Sequence, residues 1–191
     1  MAKEGQAISL DANQHQEFIS YLGDTRYAIR DIAIYLLTCR AGMRIGTIAG
    51  LTLSDVFDTS GNLKEVIILR KSITKGNKTI TGFLSHPEVR EALVKYYKIR
   101  GKSKSDRLFI TQKRTPFSPN SLCQVMLKHY RSAGFEQGSS HSGRRTFASN
   151  MIKTGIDIVA LSKVMGHSSV STTQRYVDHN VNELKNFVAM T

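Results

Sequence analysis

The chain has 191 residues, 40% of them hydrophobic and 22% charged, a balance that excludes a disordered chain and suffices for one core without metal or disulfide staples. Lys and Arg number 27 against 15 Asp and Glu, and the resulting formal charge of +12 puts polyanions first among partners. Two cysteines without CxxC spacing argue against a zinc module, and no apolar run approaches the roughly 18 residues of a membrane span, so a cytoplasmic protein that leaves membranes alone is expected.

The first seven residues are polar and read as a flexible N terminus; folding proper starts at Ile8, with Phe18, Ile19 and Leu22 on a short helical face. From Tyr27 to Arg40, Ala28, Ile29, Ile32, Ala33, Leu36 and Leu37 recur at helical spacing, and Gly42 offers a stop. Arg44 to Leu51 predicts a second, short helix with Ile45, Ile48 and Ala49 inward. The β-branched run KEVIILR, Lys64 to Arg70, and the run Thr79 to Leu84 flank Lys75-Gly76-Asn77-Lys78, which predicts an antiparallel hairpin. Ser85 with Glu88 has capping-box spacing, and with Pro87 in the first turn it opens a helix through Val89, Leu93, Val94 and Tyr97 to Gly101.

Leu108 to Thr111 reads as a short extended segment, and Pro116 and Pro119 introduce a helix carrying Leu122, Val125, Met126, His129 and Tyr130. After the Gly- and Ser-rich stretch Gly134 to Ser140, His141 starts a helix through Phe147, Met151 and Ile152, closed by Gly155. Another follows Asp157, with Ile158, Leu161 and Val164 inward and Gly166 at its end; a final pair covers Ser169 to Val177 and Asn182 to Ala189. The pattern predicts a mainly α fold with one small antiparallel β-sheet, an α+β class, in a single domain over 8–191 without an internal linker.

Three segments carry chemistry: Ala41-Gly42-Met43-Arg44-Ile45, His141-Ser142-Gly143-Arg144, and Gly166-His167 followed by Tyr176 in TTQRYV. In this order, and with LSKVMGHSSVSTTQRYV at the end, they resemble the signature boxes of the tyrosine recombinase, or phage integrase, family. The similarity runs from about Ile8 to Met190. It implies the family's catalytic-domain fold and the cleavage and rejoining of double-stranded DNA through a 3′-phosphotyrosyl intermediate, for integration, excision or inversion of a DNA element. It further implies no metal, ATP or other cofactor, and a homotetramer on paired DNA sites from a chain that is monomeric when free.

By the same resemblance the catalytic residues are Arg44, Lys75, His141, Arg144, His167 and Tyr176. A free Tyr, with a pKa near 10, is only about one part in a thousand phenolate at pH 7, so clustered cations are needed to lower the cost of the phenolate and of the charge building on phosphate. Guanidinium forks suit the nonbridging oxygens, which makes Arg44 and Arg144 a phosphate clamp. His141 and Arg144 stand three apart on one helical face, and a histidine exchanges protons near neutrality, so His141 fits a general base for Tyr176 and His167 a donor to a nonbridging oxygen. Lys75 matches the family's turn lysine that protonates the leaving 5′-oxygen, with Lys78 competing for the role. Arg145 falls off that face and suits the DNA backbone or an acid. His15, His86, His129, Tyr35, Tyr96 and Tyr130 lack a motif and read as structural.

Two departures stand out. The family usually carries an acid three residues after its first arginine, where this chain has Thr47, and the length leaves no room for a separate core-binding domain. The chain is thus expected to be either a catalytic-domain fragment or a single-domain member. An alternative is a non-enzymatic helix-turn-helix regulator built on Arg144 to Met165 around Thr154-Gly155; it leaves Arg44, His141, His167 and Tyr176 as coincidences. A metal nuclease is disfavoured, because no acids and histidines stand at ligand spacing. Val181, Leu184, Phe187 and Val188 give the last helix an apolar face that must dock, either back on its own domain or, as the resemblance implies and as is expected here, on a neighbouring subunit.

Overall fold

Helix α1 (Ala12–Gly23) begins at Asp11, whose carboxylate accepts the Gln14 N–H while the Gln14 side chain accepts the N–H of Asp11. Two otherwise orphaned donors are satisfied reciprocally, and this fixes the helix start. The computed structural model describes residues 7–176 except Lys102. Residues 1–6 of the expected flexible segment 1–7, and the expected last helix, 182–189, with its docking face, lie outside the described residues. The chain divides into two compact units, Met1–Phe147 and Ala148–Thr191.

In the first unit, α2 (Ala28–Cys39) packs on α1 and on α5 (Pro87–Arg100). Its second half is buried on more than one side, with Ala33, Ile34, Tyr35, Leu36, Leu37 and Cys39 all inside. The expected stripe is therefore wrong at its start: Ile29 is 38% exposed and Ile32 half-buried, while Arg30 and Asp31 are buried in their place. A single helical stripe underestimates a helix covered on several faces. Phe18 stacks on Tyr130 at 4.4 Å and meets the edge of Tyr35 at 4.8 Å, so these tyrosines are core aromatics.

Helix α3 (Ile45–Gly50) packs on α6 (Pro119–Ser132), and α4 (Leu53–Val56) is a single turn capped by Thr52. The hairpin forms as the pattern predicts: β1 (Val66–Leu69) pairs antiparallel with β2 (Ile80–Phe83), Ile67 opposite Gly82, with Ile67 and Leu69 inward and Val66 and Ile68 exposed. The connection holds a 3-10 turn, Lys71–Ile73, then reverses through Gly76 and Asn77 at φ 83° and 53°.

One local expectation is corrected. Helix α5 is capped by His86 rather than Ser85: its Nδ1 accepts the Glu88 N–H at 3.3 Å. Pro87 at the first helical position forces the preceding residue into extended backbone, and that residue becomes the cap. The expected extended segment Leu108 to Thr111 makes an isolated bridge, Ile110 with Pro116, and Arg107 just before it makes another with Thr52. Helix α6 starts at Ser118, in a reciprocal cap with Ser121.

Helix α7 (Ser142–Lys153) holds the division between the units. In the second unit, α8 (Ile158–Val164) is capped by Asp157, which accepts the N–H groups of Val159 and Ala160, and α9 (Val170–Gln174) packs on α8. Of the expected inward residues of α8, Leu161 is buried and Ile158 and Val164 are half-buried. No described helix is long and apolar enough to cross a membrane.

Candidate active site

The first arginine is aimed by its neighbours. Gly42 has φ 63°, and a Cβ there would lie 2.6 Å from the Phe147 ring, so only glycine permits the tight turn out of α2. Met43 and Ile45 on either side are buried, and the Met43 N–H is bonded to the Leu37 carbonyl. Arg44 between them is the N-cap of α3, in extended backbone, with its half-buried side chain directed to a cleft.

The second arginine is tied to the first segment. Arg144 is buried, and its Nη1 donates to the Gly42 carbonyl, which joins the two arginine boxes directly. Gly143 permits the approach: a Cβ there would fall 1.9 Å from Thr38 Oγ1. The start of α7 is held by Ser139, whose Oγ accepts the His141 N–H at 3.2 Å, and by the Leu10 N–H donating to Thr146 Oγ1 at 2.8 Å. His141 stands immediately before the helix and starts it as expected, its carbonyl accepting from the Arg145 N–H.

Arg44, Lys75, His141 and Arg144 line one cleft of about 560 Å³, together with Thr47, Arg107 and Cys123. Among the described residues no acidic side chain lines it. Lys75 is exposed at the hairpin turn and reaches the cleft wall; Lys78, three residues on, does not line it, and neither does Arg145. Partial burial, then the charges of Arg144, Arg44 and Lys75, hold the His141 pKa below the usual 6.5. A lowered pKa favours the neutral, proton-accepting imidazole, and the cationic field that contributes to it also attracts an anion.

His167 and Tyr176 belong to the second unit. Gly166, at φ 60°, ends α8, and the His167 N–H returns to the Ser162 carbonyl. His167 Nδ1 is 2.8 Å from Thr173 Oγ1, and the rings of His167 and Tyr176 lie nearly parallel, 6.0 Å between centroids. The Thr173 carbonyl also accepts the Tyr176 N–H at 3.0 Å, so one buried threonine orients both residues. Sequence reasoning missed Thr173, as it missed Gly143 and Arg107. The signal for Thr173 was a hydroxyl six residues after the histidine; Gly143 and Arg107 gain their roles only from distant segments.

Histidines without a motif have structural partners: His15 bonds the Tyr35 hydroxyl and Arg40, and His129 bonds Asp31. Among the described residues no cluster of three or more His, Cys, Asp or Glu could hold a metal ion.

Residues 9–183 match the Phage integrase family. Tyrosine recombinase XerD of Corynebacterium glutamicum is 31% identical over 180 residues, covering 94% of this chain and 56% of that protein; tyrosine recombinase XerA of Pyrococcus furiosus is 31% identical over 163, covering 84% and 54%. The chain thus spans about half the length of these relatives. A crystal structure of XerA recombinase superposes with a TM-score of 0.79 at 25% identity, over 98% of this chain and 66% of that one. The Tn1549 transposon integrase in complex with transposon right end DNA also reaches 0.79, at 18% identity over 100% and 68%, a likeness of fold. Since the family match runs from before the first arginine box to beyond Tyr176, the chain belongs to the phage integrase family.

Proposed function

We propose that this chain is the catalytic domain of a site-specific recombinase that breaks and rejoins double-stranded DNA through a 3′-phosphotyrosyl link. The observation that carries the reading is the single cleft lined by Arg44, Lys75, His141 and Arg144, in which partial burial and then the three cations hold the histidine pKa below its usual value. A scissile phosphate in this cleft presents its nonbridging oxygens to the forks of Arg44 and Arg144, with His167 as a further donor. Tyr176 Oη attacks phosphorus, its proton passing to His141. The P–O5′ bond breaks, and O5′ takes a proton from Lys75. Attack by a 5′-hydroxyl on the phosphotyrosine reverses the sequence and releases Tyr176; the phosphodiester energy is conserved, so neither ATP nor another energy source enters.

Charge supports the partner. At +12 the chain is suited to the phosphate backbone, and family structures include a Tn1549 integrase with DNA, XerH bound to difH substrate, and a lambda integrase dimer bound to a core site. Exchange between two duplexes takes four strand cleavages, which four copies on paired sites supply. The free chain is monomeric, because its charge opposes association until DNA neutralises it.

The test is covalent capture. A random-sequence pool of nicked duplexes, whose nick lets the fragment after the scissile bond diffuse away, is incubated with the chain in excess EDTA. A protein–DNA adduct on a denaturing gel, with the nucleotide mapped to Tyr176 by mass spectrometry, is the expected result. A requirement for added Mg²⁺, or attachment at another residue, would refute it.

A further inference from the structure

Position 47 is where the family's usual acid is missing, and the structure gives the threonine there a specific task. Thr47 is buried on α3, three residues after Arg44, and its Oγ1 donates to the Ile73 carbonyl at 3.0 Å. Ile73 ends the 3-10 turn that follows β1, and Lys75 stands two residues further on. One turn along the same face of α3, Gly50 completes the seat: a Cβ there would lie 2.5 Å from Ile73 Cγ2 and 2.8 Å from Ile73 Cβ. The hairpin turn is thus fixed to α3 by one hydrogen bond and one close steric contact. The Thr74 hydroxyl, bonded to the Lys78 carbonyl, closes the turn around Lys75.

We infer that Thr47 is a positioning residue for Lys75: by holding the Ile73 carbonyl against α3, it fixes the distance between the lysine and the Arg44 end of the same helix. Lys75 is exposed, so its backbone anchorage governs where its ammonium meets the cleft. A displacement of about 1 Å at a reacting group can cost about 10²-fold in rate. The chemistry of the contact also explains the departure from the family pattern. The hairpin offers a carbonyl, an acceptor, so a hydroxyl donor satisfies it, whereas a carboxylate would set acceptor against acceptor and leave the carbonyl buried without its bond.

The inference rests on the proposed role of Lys75 as the proton donor to the leaving 5′-oxygen, and the test separates the two. Duplexes recovered by covalent capture are made with an ordinary 5′-oxygen or with sulfur as the bridging 5′ atom. When the P–S bond breaks, the thiolate departs without needing a proton, because a thiol is far more acidic than an alcohol. Single-turnover cleavage of the oxygen substrate is expected to slow at least tenfold in Thr47→Val and to come within threefold of wild type on sulfur. Thr47→Ser, which keeps the donor, should recover most of the rate, and Thr47→Glu should be slower than Thr47→Val on oxygen.

Lys75→Ala is the control. If it is not rescued by sulfur, the leaving-group role of Lys75 is wrong and the positioning role falls with it. If Lys75→Ala is rescued while Thr47→Val is equally slow on both substrates, or if Thr47→Val cleaves oxygen at the wild-type rate, Thr47 alone is misassigned. Thr47→Ala, which leaves room for water, provides a second variant should valine unfold the chain; loss of the folded state in both also overturns the inference, since the hydroxyl would then be holding the core.

Discussion

Two of the places where arginine and histidine gather in the first unit make a contrast. On α2 and α6, Arg30 and His129 converge on Asp31: Arg30 Nε and Nη2 lie 2.7 and 3.2 Å from its two oxygens, and His129 Nε2 lies 3.0 Å from one of them. Arg30 also covers the rings of Tyr27 and Phe117. In the cleft, Arg44, Lys75 and Arg144 line the walls with His141 and lower its pKa, and among the described residues no carboxylate lines them. The same residue types do opposite work. Asp31 balances the guanidinium beside it and ties helices together, whereas three cations facing one cleft make a field that an incoming anion can satisfy.

Breaking the first cluster is expected to have the largest effect, and on stability. Asp31→Ala leaves Arg30 buried without its carboxylate, which costs about 3–5 kcal/mol. Chemical denaturation should show a midpoint far below wild type, with the cleavage rate per folded molecule little changed; an unaltered midpoint would deny the structural role. Arg44→Ala, at a half-buried position on the cleft, should do the reverse: cleavage slower by at least about 10²-fold, the scale for losing one preorganised donor, with a nearly unchanged denaturation midpoint. Arg44→Lys should recover only part of the rate, since the fork geometry is gone. Cleavage of Arg44→Ala within threefold of wild type would remove the clamp.

Acidity sharpens the contrast with a smaller effect. His141 is held below 6.5 by partial burial and its cationic neighbours, so its neutral, proton-accepting form persists to lower pH than in an ordinary histidine. The acid limb of the cleavage profile should lie below 6.5 and move up toward 6.5 in Lys75→Gln. His15 and His86 are also lowered, by burial first and by Arg40 second. For all three the unfolded chain takes up protons first, so stability is complete above pH 6.5 and declines as pH falls through the lowered values. Melting temperatures measured from pH 7.5 to 5.5 should fall; a rise on acidification would contradict these directions.

Much of this was legible in one dimension, because helical spacing and caps are local. Ile45, Ile48 and Ala49 are all inward as their spacing requires, and the hairpin follows from two β-branched runs around Lys75-Gly76-Asn77-Lys78. The motif order also named the cleft: Arg44, Lys75, His141 and Arg144 line the same 560 Å³. What failed was non-local or decided by a competing local rule. Ile29 lost the inside to Arg30 and Asp31, whose further partner, His129, is 98 residues from Asp31, and no periodicity reports that. Pro87 outranked the capping-box spacing at Ser85 by constraining His86. Thr38 facing Gly143, and Thr47 facing Ile73, are contacts between segments that only folding brings together.

The most direct measurement of the central claim is single-turnover cleavage of the captured nicked duplex by Tyr176→Phe, with DNA binding followed in parallel. The substitution deletes one oxygen from a ring that already stacks on His167. The account predicts binding close to wild type and no covalent adduct. Adduct formation at the wild-type rate would show that another residue attacks the phosphate and would contradict the assignment of Tyr176 as nucleophile.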